Sequence, residues 1–207
     1  LDVARAEKRD ILSYLGKHTK HSLSRNIRAF DNDVRLEWAE DKQTALSILD
    51  EMIDLYQKKW KKMGRRGMFS SNRFTNFQRD IIKKVVEKHG VILLRIVNKN
   101  YGTLGANYFF VDNNIAYGYQ LGLKDFTDIE ITTINKKRIR LGFLMHVLGM
   151  QACLDRGFKA YNFSLGEYTY KEELTNDARE VTTLRIKRGM KPLLRDMIVR
   201  VYTKMDS

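Results

Sequence analysis

Apolar residues recur along the chain with two different periods, and these periods distinguish helices from strands. A spacing of three and four residues is typical of an amphipathic helix with one buried face. It is clearest in the stripe Ala45, Ile48, Leu49, Met52, Ile53, Tyr56 and Trp60. Helices are predicted in this way over residues 4–15, 22–30, 44–60, 74–88, 141–156, 168–174 and 192–204. Alternation and short apolar runs predict strands over residues 34–39, 91–97, 104–111, 115–123, 160–165 and 180–187.

The order of these elements predicts a mixed α/β (α+β) layer fold. Three strands follow one another with only turns between them, and Asp112-Asn113-Asn114 joins the last two. Asn and Asp tolerate the positive φ of a tight turn, so these strands are expected to run antiparallel. Each later strand is reached through a helix, which implies that part of the sheet is parallel.

The composition is that of a globular protein, since 43% of the 207 residues are hydrophobic and 30% are charged. The longest stretch without a charged residue is 141–154, which has 14 residues. A membrane span needs about 20, so this stretch is predicted to be a buried core helix. The single cysteine, Cys153, excludes an internal disulfide and a cysteine-based zinc site. It favours a reducing, cytoplasmic setting and is interpreted as an inert core thiol.

The chain is strongly basic, with 38 Lys and Arg against 25 Asp and Glu and a formal net charge of +13. This balance favours an anionic partner, which could be a phosphate, a nucleotide, a nucleic acid or an anionic lipid surface. The run from Trp60 to Arg66 interleaves aromatic and cationic residues as nucleic-acid surfaces do, although a solvated helix end has the same composition. Residues 1–32 are interpreted as a basic helical arm and residues 33–207 as the main domain. Because the first residue is Leu1, we expect another unit to precede it.

A candidate anion site precedes the apolar helix. Lys136, Lys137, Arg138 and Arg140 provide four cations within five residues, directly before Leu141 and Gly142. A helix N-terminus presents free N–H groups and the positive end of a dipole, and glycine allows close approach of a phosphate. These features predict a phosphate or pyrophosphate at residues 138–143. A solvated basic loop is the alternative interpretation.

The segment from Asn162 to Lys171 leaves a buried strand through Gly166 and enters a short helix that carries Tyr and Lys. Together with the order of elements before it, the pattern F-x-x-G-x-x-x-Y-K resembles the GNAT superfamily of acyl-CoA N-acyltransferases. More narrowly, it is similar to the CelD-like branch, which is related to the bacterial FemAB aminoacyltransferases. Members of that branch have Asp at the position of Asn162. The superfamily's pyrophosphate loop, [Q/R]-x-x-G-x-[G/A], differs here because Arg138 lies four residues before Gly142 and Leu144 replaces a small residue.

The resemblance implies a mostly antiparallel sheet splayed at its centre, with acyl-CoA between strands 115–123 and 160–165. It assigns cofactor binding to Tyr119, Gln120, Leu121, Arg138, Arg140, Leu141, Gly142, Phe143, Asn162 and Lys171. It implies that a tyrosine hydroxyl protonates the thiolate, with Tyr170 preferred over Tyr168. Glu167 is the first candidate for the base that takes the amine proton, and Asp125 or Asp128 is the alternative.

Three functions follow from the residues and the resemblance. The first is transfer of an acetyl or other acyl group from acyl-CoA to an amine. The second is transfer from aminoacyl-tRNA, and the third is a module that binds RNA or another polyanion without turnover. His18 and His21 have a spacing seen in metal sites, but neither a cysteine nor a nearby carboxylate accompanies them, so no metal is expected. His146, within an apolar helix, is interpreted as a core histidine.

Overall fold

The computed structural model describes residues 1–125, 139–164 and 169–175. Its helices are α1 (Asp2–Ala6), α2 (Ile11–Tyr14), α3 (Lys17–Arg28), α4 (Lys42–Lys62), α5 (Asn72–Val85), α6 (Leu141–Asp155) and α7 (Thr169–Leu174). Its strands are β1 (Arg35–Trp38), β2 (Val91–Asn98), β3 (Gly102–Asp112), β4 (Ile115–Leu123) and β5 (Ala160–Asn162). Short 3-10 helices cover Met68–Ser70 and Val86–Lys88. The predicted strand 180–187 and helix 192–204 lie outside the described residues.

The five strands form one sheet in the order β1-β2-β3-β4-β5. The first four are antiparallel, and β4 pairs with β5 in parallel through the crossover that contains α6. The predicted mixed, mostly antiparallel fold is therefore confirmed. Asn113 and Asn114 have φ of 49° and 63° in the β3–β4 turn, which is the conformation a tight hairpin requires.

In the described residues the sheet is a middle layer, because both of its faces are covered. On one face, α4 and α5 pack over Leu93, Ala106 and Tyr108. On the other face, α6 packs over Leu94 and Phe109. The four residues that open β2 are all buried, as expected for a strand covered on both sides. In the described part of the chain, no helix is long and apolar enough to cross a membrane.

The N-terminal residues fold differently from the prediction. The predicted helix 4–15 is two short helices, because Asp10 caps α2 by accepting a hydrogen bond from the Ser13 N–H at 2.7 Å. Lys8, with φ of 53°, turns the chain between them. The third helix begins at Lys17, five residues before the predicted start. Ile11, Leu15 and Leu23 are buried in the same core cluster as α6, so residues 1–32 share that core.

Candidate active site between β4 and β5

The parallel ladder between β4 and β5 is short. Its three pairs join Ile115 to Ala160, Ala116 to Tyr161 and Tyr117 to Asn162. β4 continues to Leu123, and among the described residues no strand pairs with residues 118–123 on the side facing away from β3. We call that side of residues 118–123 the β4 edge. Every second N–H and C=O of a strand points to each side, so the β4 edge presents backbone groups that a ligand can bind.

A local turn ends the ladder after Asn162. The side-chain oxygen of Asn162 accepts a hydrogen bond from the Ser164 N–H at 2.7 Å, and Ser164 has φ of 57°. The Ser164 hydroxyl donates to the carbonyl oxygen of Gly118, the first residue of the β4 edge. A Cβ atom at Gly118 would lie 3.3 Å from the Asn162 carbonyl oxygen, so glycine lets the two chains approach here. The predicted strand 160–165 therefore ends three residues early, because this turn competes with the ladder.

A β-bulge lies in β4 directly after the end of the ladder. Phe109 pairs with Gly118 and Tyr108 pairs with Gln120, which leaves Tyr119 as the extra residue. The Tyr119 ring packs 5.3 Å from Tyr108, and its hydroxyl accepts a hydrogen bond from Gln78 of α5 at 3.2 Å. Bulges are frequent beside active sites, where they redirect side chains. Here the bulge directs Tyr119 to the α4–α5 face.

The N-terminus of α6 lies beside the far end of β4. A Cβ atom at Gly142 would be 3.3 Å from the Leu123 side chain. The backbone N–H of Arg140 donates to the side-chain oxygen of Asn26 on α3 at 2.6 Å. The first hydrogen bond of the helix runs from the Leu144 N–H to the Arg140 carbonyl oxygen. The N–H groups of residues 141–143 have no acceptor within the helix, and the helix dipole adds positive potential there. This arrangement suits a diphosphate.

The Arg140 side chain connects the start of α6 to α7. Its guanidinium donates two hydrogen bonds to the Glu173 carboxylate, at 2.8 and 2.9 Å, and lies 4.8 Å from the centre of the Phe143 ring. Arg140 and Glu173 are 33% and 35% exposed, so water screens the pair in part. An anion at α6 would have to share Arg140 with Glu173.

Four aromatic side chains, from α6, β5, the turn after β5 and α7, contact one another near the end of the ladder. We call His146, Tyr161, Phe163 and Tyr170 the aromatic cluster. His146 Nδ1 and the Tyr161 hydroxyl share a hydrogen bond of 2.8 Å, and the Tyr170 ring stacks on the imidazole at 4.9 Å with 12° between the planes. Phe163 meets His146, Tyr161 and Tyr170 edge-on at 5.1 to 6.1 Å. The cluster holds α7 against α6 and β5.

Burial controls the ionisation of the groups around this cluster. It lowers the pKa of His146 to about 4, with a smaller contribution from the charge of Lys171. It raises the pKa of Tyr161 well above its usual range and that of Cys153 to about 12. It also lowers the pKa of Lys171, whose ammonium donates to the Ser164 carbonyl at 2.9 Å. At neutral pH the imidazole, the phenol and the thiol are therefore uncharged, and a thiol of this kind has little nucleophilic character.

The structure brings together three groups of predicted residues. Asn162, Tyr170 and Lys171 surround the turn at Ser164. Arg140, Leu141, Gly142 and Phe143 form the start of α6, while Tyr119, Gln120 and Leu121 lie on β4. The alternative base Asp125 pairs with Lys62 at 2.5 Å. The other predicted residues, Arg138, Glu167, Tyr168 and Asp128, lie outside the described residues.

Two residues of the site are not evident from the sequence. The sequence pattern indicates an ordinary core histidine at His146 and assigns no role to Ser164. The contacts of His146 cross from α6 to β5 and α7, and no local spacing in the sequence encodes them. The positive φ of Ser164 could have been suspected from the Asn two residues before it, because such an Asn favours a side-chain-capped turn.

Comparison with known proteins agrees with this architecture. Residues 17–172 match the family model of the acetyltransferase (GNAT) domain, which covers more than half of the chain. The chain therefore belongs to the GNAT family of acetyltransferases, and it is an enzyme of the acyltransferase class. None of the curated proteins matches it in sequence.

Three solved structures are similar to it in fold. YycN of Bacillus subtilis is 12% identical, with a TM-score of 0.43, and the match covers 75% of this chain and 99% of YycN. Ribosomal-protein-alanine N-acetyltransferase of Brucella melitensis biovar Abortus 2308 is 11% identical, with a TM-score of 0.41 and the same two coverages. A GNAT-family acetyltransferase of Staphylococcus aureus Mu50 is 14% identical, with a TM-score of 0.34, and the match covers 60% of this chain and 69% of that one.

Proposed function

We propose that the protein transfers an acetyl or other acyl group from acyl-CoA to an amine, by direct attack of the amine within a ternary complex. The observation that carries the proposal is the β4 edge, which pairs with no strand among the described residues, beside the N–H groups of residues 141–143 that have no acceptor within α6. The two features support the proposal because backbone N–H donors of the kind that a carbonyl and a diphosphate need lie near the same end of β4. We assign the chain to the CelD-like branch on the pattern that runs from Asn162 to Lys171.

The binding roles follow from the groups that remain available. The N–H groups of residues 141–143 bind the diphosphate of acyl-CoA. The Arg140 guanidinium adds its positive charge while it also pairs with the Glu173 carboxylate. The oxygen of the Asn162 side chain is engaged by Ser164, so its Nδ2 is the donor that faces the pantetheine arm. Lys171 provides a second cation near the turn, with its ammonium on the Ser164 carbonyl.

The catalytic roles follow from the chemistry of amide formation. The amine nitrogen forms a bond to the acyl carbon, and the carbon–sulfur bond breaks. N–H groups of residues 119–121 stabilise the negative charge that develops on the carbonyl oxygen. The Tyr170 hydroxyl gives its proton to the leaving thiolate, and Glu167 takes the proton that the amine loses. Holding both substrates together provides a large part of the rate.

The proposal is tested by following CoA thiol release from acetyl-CoA with a panel of primary amines. We expect release above the enzyme-free rate with at least one amine. Tyr170→Phe should lower kcat about 10²-fold or more, the usual contribution of a general acid, while the affinity for CoA stays within about threefold. Phe110→Leu, at an aromatic residue on the opposite face of the sheet, is the matched control. Absence of acetyl-CoA binding would refute the proposal, and wild-type turnover in Tyr170→Phe would remove that residue from the mechanism.

A second candidate function, binding of tRNA or another polyanion, is favoured by a cationic surface at the end of α4. We define the α4-end surface by six exposed cations within nine residues: Lys58, Lys59, Lys61, Lys62, Arg65 and Arg66. Two depressions lie on it, and Lys58 and Lys61 line both. Asp54 pairs with Lys58 and Asp125 pairs with Lys62, so the surface keeps a positive excess. The negative end of the helix dipole also stabilises cations at this position, even without a partner.

Salt-dependent binding of bulk tRNA distinguishes this candidate. One triple variant neutralises the surface: Lys61→Gln, Arg65→Gln and Arg66→Gln. A matched triple variant removes three exposed cations elsewhere: Lys20→Gln, Lys84→Gln and Lys99→Gln. If the α4-end surface binds phosphates, the first variant lowers the slope of log affinity against log salt by about one for each contacting residue, and the second leaves it unchanged. Equal slopes in all three proteins would exclude the surface as a polyanion site.

A further inference from the structure

His146 is a buried polar residue that the proposed chemistry does not use. It lies on α6 with 5% of its surface exposed, among residues that are almost all apolar. Its Nδ1 is bonded to the Tyr161 hydroxyl, whereas its Nε2 is buried without a hydrogen-bond partner. An unpaired buried nitrogen costs stability, and a leucine of similar size would avoid that cost. Its contacts with Tyr161 and Tyr170 distinguish it from an ordinary core residue.

The imidazole has a fixed orientation. Tyr161 is held by β5, and its ring packs edge-on to Phe109 at 5.1 Å. The bond between its hydroxyl and Nδ1 restricts rotation of the imidazole about its side-chain torsions. Gly149 lies one turn along α6, where a Cβ atom would be only 3.3 Å from the Tyr161 hydroxyl, so the absence of a side chain there makes room for the bond.

The fixed imidazole provides the surface on which Tyr170 rests. The two rings are nearly parallel, with 12° between their planes and 4.9 Å between their centres. Phe163 closes one side of Tyr170 at 6.1 Å in an edge-on contact. Lys171, the next residue on α7, is the charged group that acts on His146, and burial keeps the imidazole neutral beside it. A neutral ring accepts the tyrosine face without repelling the neighbouring ammonium.

We propose that His146 is the positioning residue for Tyr170: hydrogen-bonded to Tyr161, its ring sets the plane of the Tyr170 ring and so the direction of the hydroxyl. This inference rests on the proposed function, in which that hydroxyl protonates the CoA thiolate. The chain Tyr161–His146–Tyr170 links β5, α6 and α7, the elements around the end of the ladder. A small rotation of the acid lowers the rate of proton transfer and leaves ground-state binding of acyl-CoA unchanged.

The test compares two substitutions of His146. His146→Leu removes the aromatic face and should lower kcat about tenfold or more, with KM for acetyl-CoA within threefold of wild type. His146→Phe keeps an aromatic face and should recover kcat to within about threefold. Met150→Ala, at a buried residue one turn along α6, is the control for general loosening of the core and should leave kcat unchanged at a temperature where all variants are folded. Equal losses in the Leu and Phe variants, or in Met150→Ala, would overturn the inference.

A second measurement needs no turnover. In a double-mutant cycle with His146→Leu and Tyr170→Leu, the shifts of the urea midpoint should be non-additive, because either change removes the same stacked contact. Additive shifts would show that stacking of Tyr170 on His146 contributes nothing to the free energy of unfolding, and they would also overturn the inference. The proposed function fails separately: if Tyr170→Phe turns over like wild type while the cycle is non-additive, the stack is real but Tyr170 is not the acid.

Discussion

At the scale of single residues, the site is shaped by groups that end regular structure. Asn162 and Ser164 stop the β4–β5 ladder with one side-chain turn, and Gly118 allows the two chains to approach where they separate. Tyr119, the extra residue of the β-bulge, lies two residues after Tyr117, where the ladder ends. Each of these interrupts a regular backbone pattern, and in the described part of the chain no strand pairs with the β4 edge beyond them.

His146 should make the stability of the fold depend on pH. Its pKa is about 4 in the folded protein, against an ordinary value of 6.5, so the unfolded chain binds a proton more readily between these values. The free energy of unfolding is therefore unaffected by this titration above pH 6.5 and falls as the pH drops from 6.5 towards 4. At about 1.4 kcal/mol for each pH unit, the loss is about 3 kcal/mol.

The measurement is the free energy of unfolding by urea from pH 4 to 7, in wild type and in His146→Phe. Wild type should lose more stability on acidification than the variant, and the difference between the two curves isolates the histidine. Parallel curves would show that His146 titrates normally in the fold.

At the scale of elements, α6 and α7 are joined across the start of α6 by Arg140 and Glu173. Both side chains are about one third exposed, so the pair contributes only about 0–1 kcal/mol to stability. A diphosphate bound at the proposed site would compete with this carboxylate for the Arg140 guanidinium. We therefore expect the pair to weaken the binding of an anion at the start of α6.

Glu173→Gln should raise the affinity for acetyl-CoA several-fold, since it frees Arg140 while leaving the helix intact. The thermal midpoint should change little. Isothermal titration measures the affinity, and Glu172→Gln, at the exposed neighbour on α7, is the matched control with the same change in net charge. If both variants bind acetyl-CoA equally, net charge alone explains the effect and Arg140 has no specific role.

At the scale of the whole molecule, the N-terminal helices are part of the core over α6. Ala4, Ile11, Leu15 and Leu23 are all buried against it, and Asn26 binds the backbone of Arg140 directly before α6 begins. Residues 1–32 therefore support the start of α6, where the candidate diphosphate site lies.

Deletion of residues 1–32 should accordingly destabilise the remaining chain and expose apolar surface of α6. We expect a thermal midpoint lower by about 10 °C or more, or aggregation, because several buried side chains are lost together. Circular dichroism and light scattering measure the outcome. A deletion variant with the thermal midpoint of the full chain would show that these residues form a separate arm.

Much of the fold could be predicted from the sequence, because periodicity encodes it locally. The predicted helix stripe of α4, the three antiparallel strands and the apolar α6 agree with the structure to within a few residues. The predicted N-terminal helix is wrong because the Asp10 cap overrides a continuous apolar pattern. In the site, a motif points to Asn162, Tyr170 and Lys171. No motif points to His146, since its importance depends on contacts between elements far apart in the chain.

Amide hydrogen exchange with and without saturating acetyl-CoA tests the central proposal most directly. If acyl-CoA binds where the ladder ends, the ligand should slow exchange in peptides that contain residues 118–123 and in those that contain residues 141–143. Peptides from α4 and α5, on the opposite face, should exchange at unchanged rates. Protection confined to the α4-end surface, or no protection in either the β4 edge or the start of α6, would contradict the account.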